Sequence, residues 1–245
     1  MVESYHIGFN DAHGATVALL PGDPARVETI ARELDNPRFV AQNREFTTWL
    51  GETHGTSVLV MSTGIGGPSA AIAAEELYAV GVRTFIRIGT CGGMAERVHA
   101  GDLVIAQAAI RAEGTSREYA PIEYPAAADF DVTNALVTAA KSLGLAHHVG
   151  VVHCKDSFYG QHEPSRMPVA RELEAKWEAW LRLGTLASEM ESAALFTVAN
   201  ALGARAGCVL STVWNQERRR LGLDADEVHD TGDAIRCAVG AVRWL

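Results

Sequence analysis

The chain has 245 residues, 48% of them hydrophobic, and carries 30 Asp and Glu against 21 Lys and Arg for a formal net charge of −9. That acidity argues against a nucleic-acid partner, and the apolar content is enough to bury the core of one α/β domain spanning residues 1–245. No apolar run approaches the ~20 residues that cross a bilayer, and Met1 to His6 lack the basic start and apolar stretch of a secretion signal, so a soluble cytoplasmic protein without a membrane partner is expected.

In chain order, an apolar run predicts a strand over 16–20, followed by a helix over 24–34 in which Pro24 occupies the first turn behind Asp23. Segments 38–50 and 53–61 read as extended and joined through Gly51-Glu52, a hairpin that brings Arg44 to an edge. A helix over 68–80 opens on Pro68, and strands follow at 84–88 and 103–109. Residues 111–129 read as a long loop, 132–143 as a helix, 149–153 as a strand and 157–168 as a second long loop. Helices over 171–181 and 189–202, the latter stopped by Gly203, precede a strand over 206–213 and a last helix over 224–244. Strands alternating with helices predict a central mixed, largely parallel twisted sheet flanked by helices. The four cysteines (Cys91, Cys154, Cys208 and Cys237) form no CxxC pair and read as reduced core thiols. The basic run Arg218-Arg219-Arg220 reads as a solvated face or a subunit contact.

Three arginines stand beside turn-forming segments: Pro21-Gly22-Asp23-Pro24-Ala25-Arg26, Asn43-Arg44-Glu45-Phe46 and Arg87-Ile88-Gly89-Thr90-Cys91-Gly92-Gly93. Glycines let backbone N–H groups approach an anion and guanidinium forks grip it in bidentate fashion, so the grouping suits a small oxyanion. In open α/β sheets ligands gather at the carboxyl ends of strands, where Gly22, Gly64 to Gly67, Gly89 to Gly93, Ser157 to Gln161 and Trp214 to Gln216 all fall; each taken singly is also an ordinary tight turn. Ser62 to Ser69 lacks the lysine of an ATP-binding loop and the spacing of a dinucleotide loop. Ser188-Glu189-Met190-Glu191-Ser192 places two carboxylates at an expected helix start, where they suit either vicinal hydroxyls or the helix dipole.

Together with His6-Ile7-Gly8, Arg44 to Trp49, Ser62 to Ser69, Arg83 to Thr90 and Glu189 to Ala193, these segments resemble the nucleoside phosphorylase-I family over the whole chain, and within it the bacterial uridine phosphorylases. The resemblance implies phosphorolysis: a nucleoside and inorganic phosphate, the co-substrate, give free base and ribose 1-phosphate with no organic cofactor. It implies a phosphate site of Gly22, Arg26, Arg87 and Thr90 with Arg44 from an adjacent subunit, and catalytic roles for Arg87, Thr90 and Glu191. Met190, Glu191 and, across the interface, His6 would meet the ribose; His6 in a frayed terminus is the other reading. It further implies a homo-oligomer, a hexamer built from dimers, with potassium at the dimer interface near Glu45, the Ile65 carbonyl and Ser69, where helix capping is Ser69's alternative role.

Base recognition departs from the pattern. Phe158-Tyr159-Gly160-Gln161 matches the uridine-reading loop, and the Gln161 amide offers both donor and acceptor. Where the family has two arginines, however, this chain has Glu163 and Gln216, with Arg166 the nearest substitute for the first. Purine phosphorylases carry an aspartate where Asn215 stands, and an asparagine donates a hydrogen bond without acting as a general acid. A pyrimidine nucleoside, uridine first, is therefore the expected substrate; a 6-oxopurine nucleoside phosphorylase, a hydrolytic nucleosidase and a non-catalytic nucleoside-binding protein are the alternatives.

Overall fold

Consecutive residues of an extended strand point to opposite faces, and the apolar runs of this chain are long enough to bury both. In the computed structural model, which describes residues 4–223 and 226–245, the strands are β1 (Val17–Pro21), β2 (Asp35–Asn43), β3 (Phe46–Thr53), β4 (Thr56–Met61), β5 (Thr84–Gly93), β6 (Leu103–Ala112), β7 (Ala126–Ala127), β8 (His147–Lys155), β9 (Ala187–Glu189) and β10 (Arg205–Asn215). The helices are α1 (Ala25–Ala31), α2 (Gly67–Val80), α3 (Thr115–Tyr119), α4 (Phe130–Ser142), α5 (Phe158–His162), α6 (Ala170–Arg182), α7 (Ser192–Leu202), α8 (Gln216–Arg220) and α9 (Gly232–Ala241). Val17, Leu19, Val58, Val60, Ile86 and Ile88 face one way, into a core shared with α1, α4 and α9. Their neighbours Ala18, Leu20, Leu59, Met61 and Phe85 face the other, into a core shared with α2 and α7. None of the described helices is long and apolar enough to cross a membrane.

The sheet is mixed. Strand β5 runs parallel to β1 on one edge and to β10 on the other, while β10 pairs antiparallel with β6. Strand β6 continues parallel to β8, β8 parallel to β9, and β9 returns antiparallel to Gly92 and Gly93 at the end of β5. Strands β5, β10, β6, β8 and β9 thus close into a ring. The open remainder runs β1, β4, β3, β2. A cavity opens at the carboxyl end of β5, where ring and open sheet part.

The hairpin region differs from expectation. Gly51 and Glu52 lie inside β3, opposite Val58 and Ser57, and the turns fall instead at Arg44-Glu45 and His54-Gly55. Leu34 packs so closely on Gly51 that an added Cβ would stand 2.7 Å from the Leu34 Cβ, so the glycine serves packing. Arg44 and His54 accept the left-handed turn conformation themselves, at φ 53° and 49°. The helix expected over 189–202 begins only at Ser192, because Glu189 belongs to β9. Of the helix expected over 224–244, residues 224 and 225 lie outside the described residues, and the helix forms over Gly232–Ala241 with a 3-10 turn at Val242–Trp244. Within the stretches read as loops, four short elements order the chain: β7, α3, α5 and a 3-10 turn at Pro164–Arg166.

Candidate active site

Arg87 leaves β5 pointing into a cavity of about 780 Å³ lined by residues from six separate segments. Gly22 and Arg26 follow β1, Gly64 and Ile65 follow β4, and Phe158, Gln161 and His162 come from α5. Thr90, Cys91, Met190, Glu191 and Trp214 complete the wall. Thr63 N–H donates to Pro21 O and Gly64 N–H to Gly22 O, both at 2.9 Å, tying two of these loops together. The approach is close enough that a Cβ on Gly22 would lie 3.1 Å from the Gly64 carbonyl.

At the deep end, the Arg87 side chain is almost wholly buried between two carboxylates. Its Nη2 donates to Glu191 Oε2, and its Nε lies 3.4 Å from Glu189 Oε2. Burial alone would lower the Arg87 pKa; the facing Glu191 and Glu189 charges more than reverse that, and it stands above its ordinary value. Burial pushes Glu191 up, against the pull of Arg87. The two glutamates divide the labour that the sequence left open. Glu189 accepts from Glu191 N–H at 2.9 Å, Ser192 N–H at 3.0 Å and Ser192 Oγ at 2.5 Å, so it caps α7. Glu191 instead reaches into the cavity, where its Oε1 also accepts from the Gly66 N–H at 2.7 Å; Gly66 has φ 92°, a conformation that glycine favours.

Buried hydrogen-bond donors rarely stay unpaired. Here Arg26 Nη1, Arg87 Nη1 and Arg87 Nε are buried with no hydrogen-bond acceptor, the last lacking hydrogen-bond geometry despite its ion pair. Burial and the neighbouring charge of Arg87 together lower the Arg26 pKa, with Asp23, at 4.0 Å, opposing them. Two guanidinium groups that repel each other and hold spare donors beside Gly22 and Thr90 have the chemistry that suits an oxyanion. Cys91 lines the same cavity, but burial pushes its thiol up to about 12, so it stays protonated as a packed group.

Other expected residues lie elsewhere. Arg44 and His6 do not line the cavity of their own chain; they cluster around the β2–β3 turn. His6 Nδ1 lies 2.6 Å from Glu76 Oε1, Asn43 Nδ2 donates to His6 O at 2.8 Å, and the Arg44 guanidinium sits 5.8 Å from the Tyr5 ring centre. His6 is therefore anchored rather than frayed. Ser69 Oγ donates to Glu45 Oε1 at 2.6 Å, which lowers the Glu45 pKa, and it does not cap α2.

The base end carries the largest departures. Arg166 is 64% exposed and ion-paired to Glu163, outside the cavity wall, so it does not stand in for a missing arginine. Asn215 is consumed structurally. Its Nδ2 donates to Ala95 O and Val98 O, each at 2.8 Å, and its Oδ1 accepts from Glu217 N–H and Arg218 N–H, leaving nothing for a base. Gln216 Oε1 accepts from Gln161 Nε2 at 3.1 Å and lines an adjoining cavity of about 340 Å³ with His153, Trp177 and Trp180. Sequence reasoning missed Lys155, Ser188 and His162; a lone lysine ending an apolar strand ahead of Phe158 was the available signal for the first.

Residues 16–242 match the family model described as "Phosphorylase superfamily". The uridine phosphorylase of Treponema pallidum (strain Nichols) is 54% identical over 98% of this chain and 93% of its own length. That of Escherichia coli (strain K12) is 44% identical over 98% of this chain and 97% of its own. The guanosine phosphorylase of Halorubrum lacusprofundi is 39% identical over the full length of both chains. With the matched region containing every element that builds the cavity, the chain belongs to the phosphorylase superfamily.

Proposed function

We propose that this chain catalyses the phosphorolysis of a pyrimidine nucleoside, uridine first, to the free base and ribose 1-phosphate. The observation that carries the reading is the set of unpaired buried donors on Arg26 and Arg87 beside Gly22 and Thr90. Phosphate bound there satisfies those donors. As the bond between the anomeric carbon and the base nitrogen breaks, its electron pair leaves with the base, and a phosphate oxygen bonds to the cationic carbon from the opposite face; the base then takes a proton from solvent. Bound phosphate thus acts as nucleophile and as counter-charge to the ring, and no side chain forms a covalent intermediate. Glu191, held by Gly66 and Arg87, presents its carboxylate to the ribose hydroxyls beside Met190, and Phe158 covers sugar and base.

Arg44 and His6 are read as reaching the cavity of an adjacent subunit, which makes the working unit a dimer within a hexameric homo-oligomer. Their shared position at the β2–β3 turn, Arg44 in it and His6 packed beside it, outside their own cavity, supports this. The Glu45 carboxylate and Ser69 hydroxyl, 2.6 Å apart, are hard oxygen donors that fit a weakly held potassium ion together with the Ile65 carbonyl; one carboxylate is too little for a divalent cage. Residues 1–245 are taken as one domain of a cytoplasmic enzyme.

A purine nucleoside is the second reading, supported by the guanosine phosphorylase relative and by Glu163 and Gln216 standing where the uridine phosphorylase pattern has arginines. Chromatography of uridine, thymidine, inosine and adenosine incubated with and without inorganic phosphate tests both. Phosphate-dependent release of uracil is the expected result. Release confined to a purine selects the second reading, and release without phosphate overturns phosphorolysis altogether.

A further inference from the structure

The two cavities meet at Lys155, the last residue of β8, which is 7% exposed and lines both. A lysine this buried persists where partners satisfy its ammonium. Its Nζ donates to Ser188 Oγ at 2.8 Å, and Ser188 Oγ lies 2.6 Å from Gln161 Oε1 and 3.2 Å from His153 Nδ1. An ammonium has only donors, so Ser188 must accept from it and pass its own proton onward, and the short contact to Gln161 Oε1 takes it. That choice orients the amide. With Oε1 engaged, Gln161 turns Nε2 outward, giving one proton to Gln216 Oε1 and leaving the other for the cavity.

Among the described residues, the same lysine is the one Lys or Arg side chain that lines both cavities. Arg26 and Arg87, the other Lys or Arg side chains among the described residues lining the main cavity, belong to the proposed phosphate site. Burial, helped by the Lys155 charge, pushes the His153 pKa down to about 3, and the same two causes lower that of His162, so both rings stay neutral at neutral pH. Burial also lowers Lys155 itself, with the Glu189 and Glu191 charges resisting.

We propose that Lys155 is the positioning cation of the base end: through Ser188 it fixes Gln161 as a hydrogen-bond donor, and its charge stabilises the base as it leaves. The site therefore takes bases that present a carbonyl oxygen and disfavours those that present an amino group there. In the balanced step the electron pair of the broken glycosidic bond spreads onto the carbonyl oxygens of the base, where the Gln161 N–H and the nearby ammonium meet it. This assignment rests on the phosphorolysis reading above.

The test compares uridine with 5-fluorouridine, whose fluorine makes the departing anion intrinsically more stable. For Lys155→Met, kcat/KM for uridine falls about 100-fold, as on loss of one preorganised donor to a developing anion. The loss for 5-fluorouridine is several-fold smaller, and the KM for phosphate holds. Lys155→Gln, which keeps a donor to Ser188 without the charge, reads the same ratio should the methionine variant fail to fold. Equal losses on both nucleosides overturn the assignment alone. If the unaltered protein releases no base from either nucleoside with phosphate present, the phosphorolysis reading falls and takes this assignment with it.

Discussion

Replacing Arg26 by alanine separates phosphate binding from folding. Its nearest acid is Asp23, at 4.0 Å and half exposed, an ion pair worth under about 1 kcal/mol, so without phosphate the variant melts within roughly 3 °C of the parent. Phosphate at about 100 times its dissociation constant stabilises the parent by about 2.7 kcal/mol, a rise of roughly 5–10 °C for a chain of this length. Arg26 offers a buried donor that has no other acceptor, and charge-assisted hydrogen bonds are worth about 1.5–3 kcal/mol. Its loss therefore weakens phosphate binding by about 10- to 100-fold and leaves about 0.4–1.4 kcal/mol of stabilisation at the same concentration. Thermal scans of both proteins across a phosphate series, with potassium chloride at matched ionic strength, read the difference. The general salting effect of phosphate acts equally on both and cancels. Equal phosphate-induced shifts in the two proteins would refute the assignment of Arg26 to the anion site.

Two further outcomes follow from the geometry. His153, whose pKa is held at about 3 by burial against about 6.5 in the unfolded chain, stays neutral in the fold while the unfolded chain takes up a proton as pH falls. Its contribution is complete above pH 6.5 and is lost progressively below, by about 2 kcal/mol at pH 5; urea midpoints at pH 7 and pH 5 for the parent and His153→Phe should differ in slope by that amount, and identical slopes would count against it. Co-expressing Arg44→Ala and Glu191→Gln subunits, each inactive alone, should restore about a quarter of parental activity, because half of randomly paired dimers hold one intact shared site. Absence of any recovery would place Arg44 outside the partner's site.

Much of this molecule is written in local pattern. Alternation along Val17 to Leu20, Val58 to Met61 and Phe85 to Ile88 specifies strands buried on both faces, because successive side chains must point opposite ways, and helices must then cover each face. Arg26 and Arg87 are legible as candidates for an anion site, since an arginine beside a glycine-bearing turn suits an oxyanion. What local pattern leaves open is how neighbours distant in sequence share out space and hydrogen bonds. Gly51 reads as a turn until Leu34 is found packed on it, and Asn215 reads as a base contact until Ala95, Val98 and the first turn of α8 use all of its donors and acceptors. Glu189 and Glu191, two residues apart, part company because one meets the end of α7 and the other meets Arg87 and Gly66 across the cavity. Closure of β5, β10, β6, β8 and β9 into a ring brings Lys155 to Ser188 and Gln161, and no periodicity in the chain announces it. Side-chain alternation is a property of each strand, readable residue by residue, whereas the occupancy of a donor depends on which distant acceptor the closed sheet sets beside it.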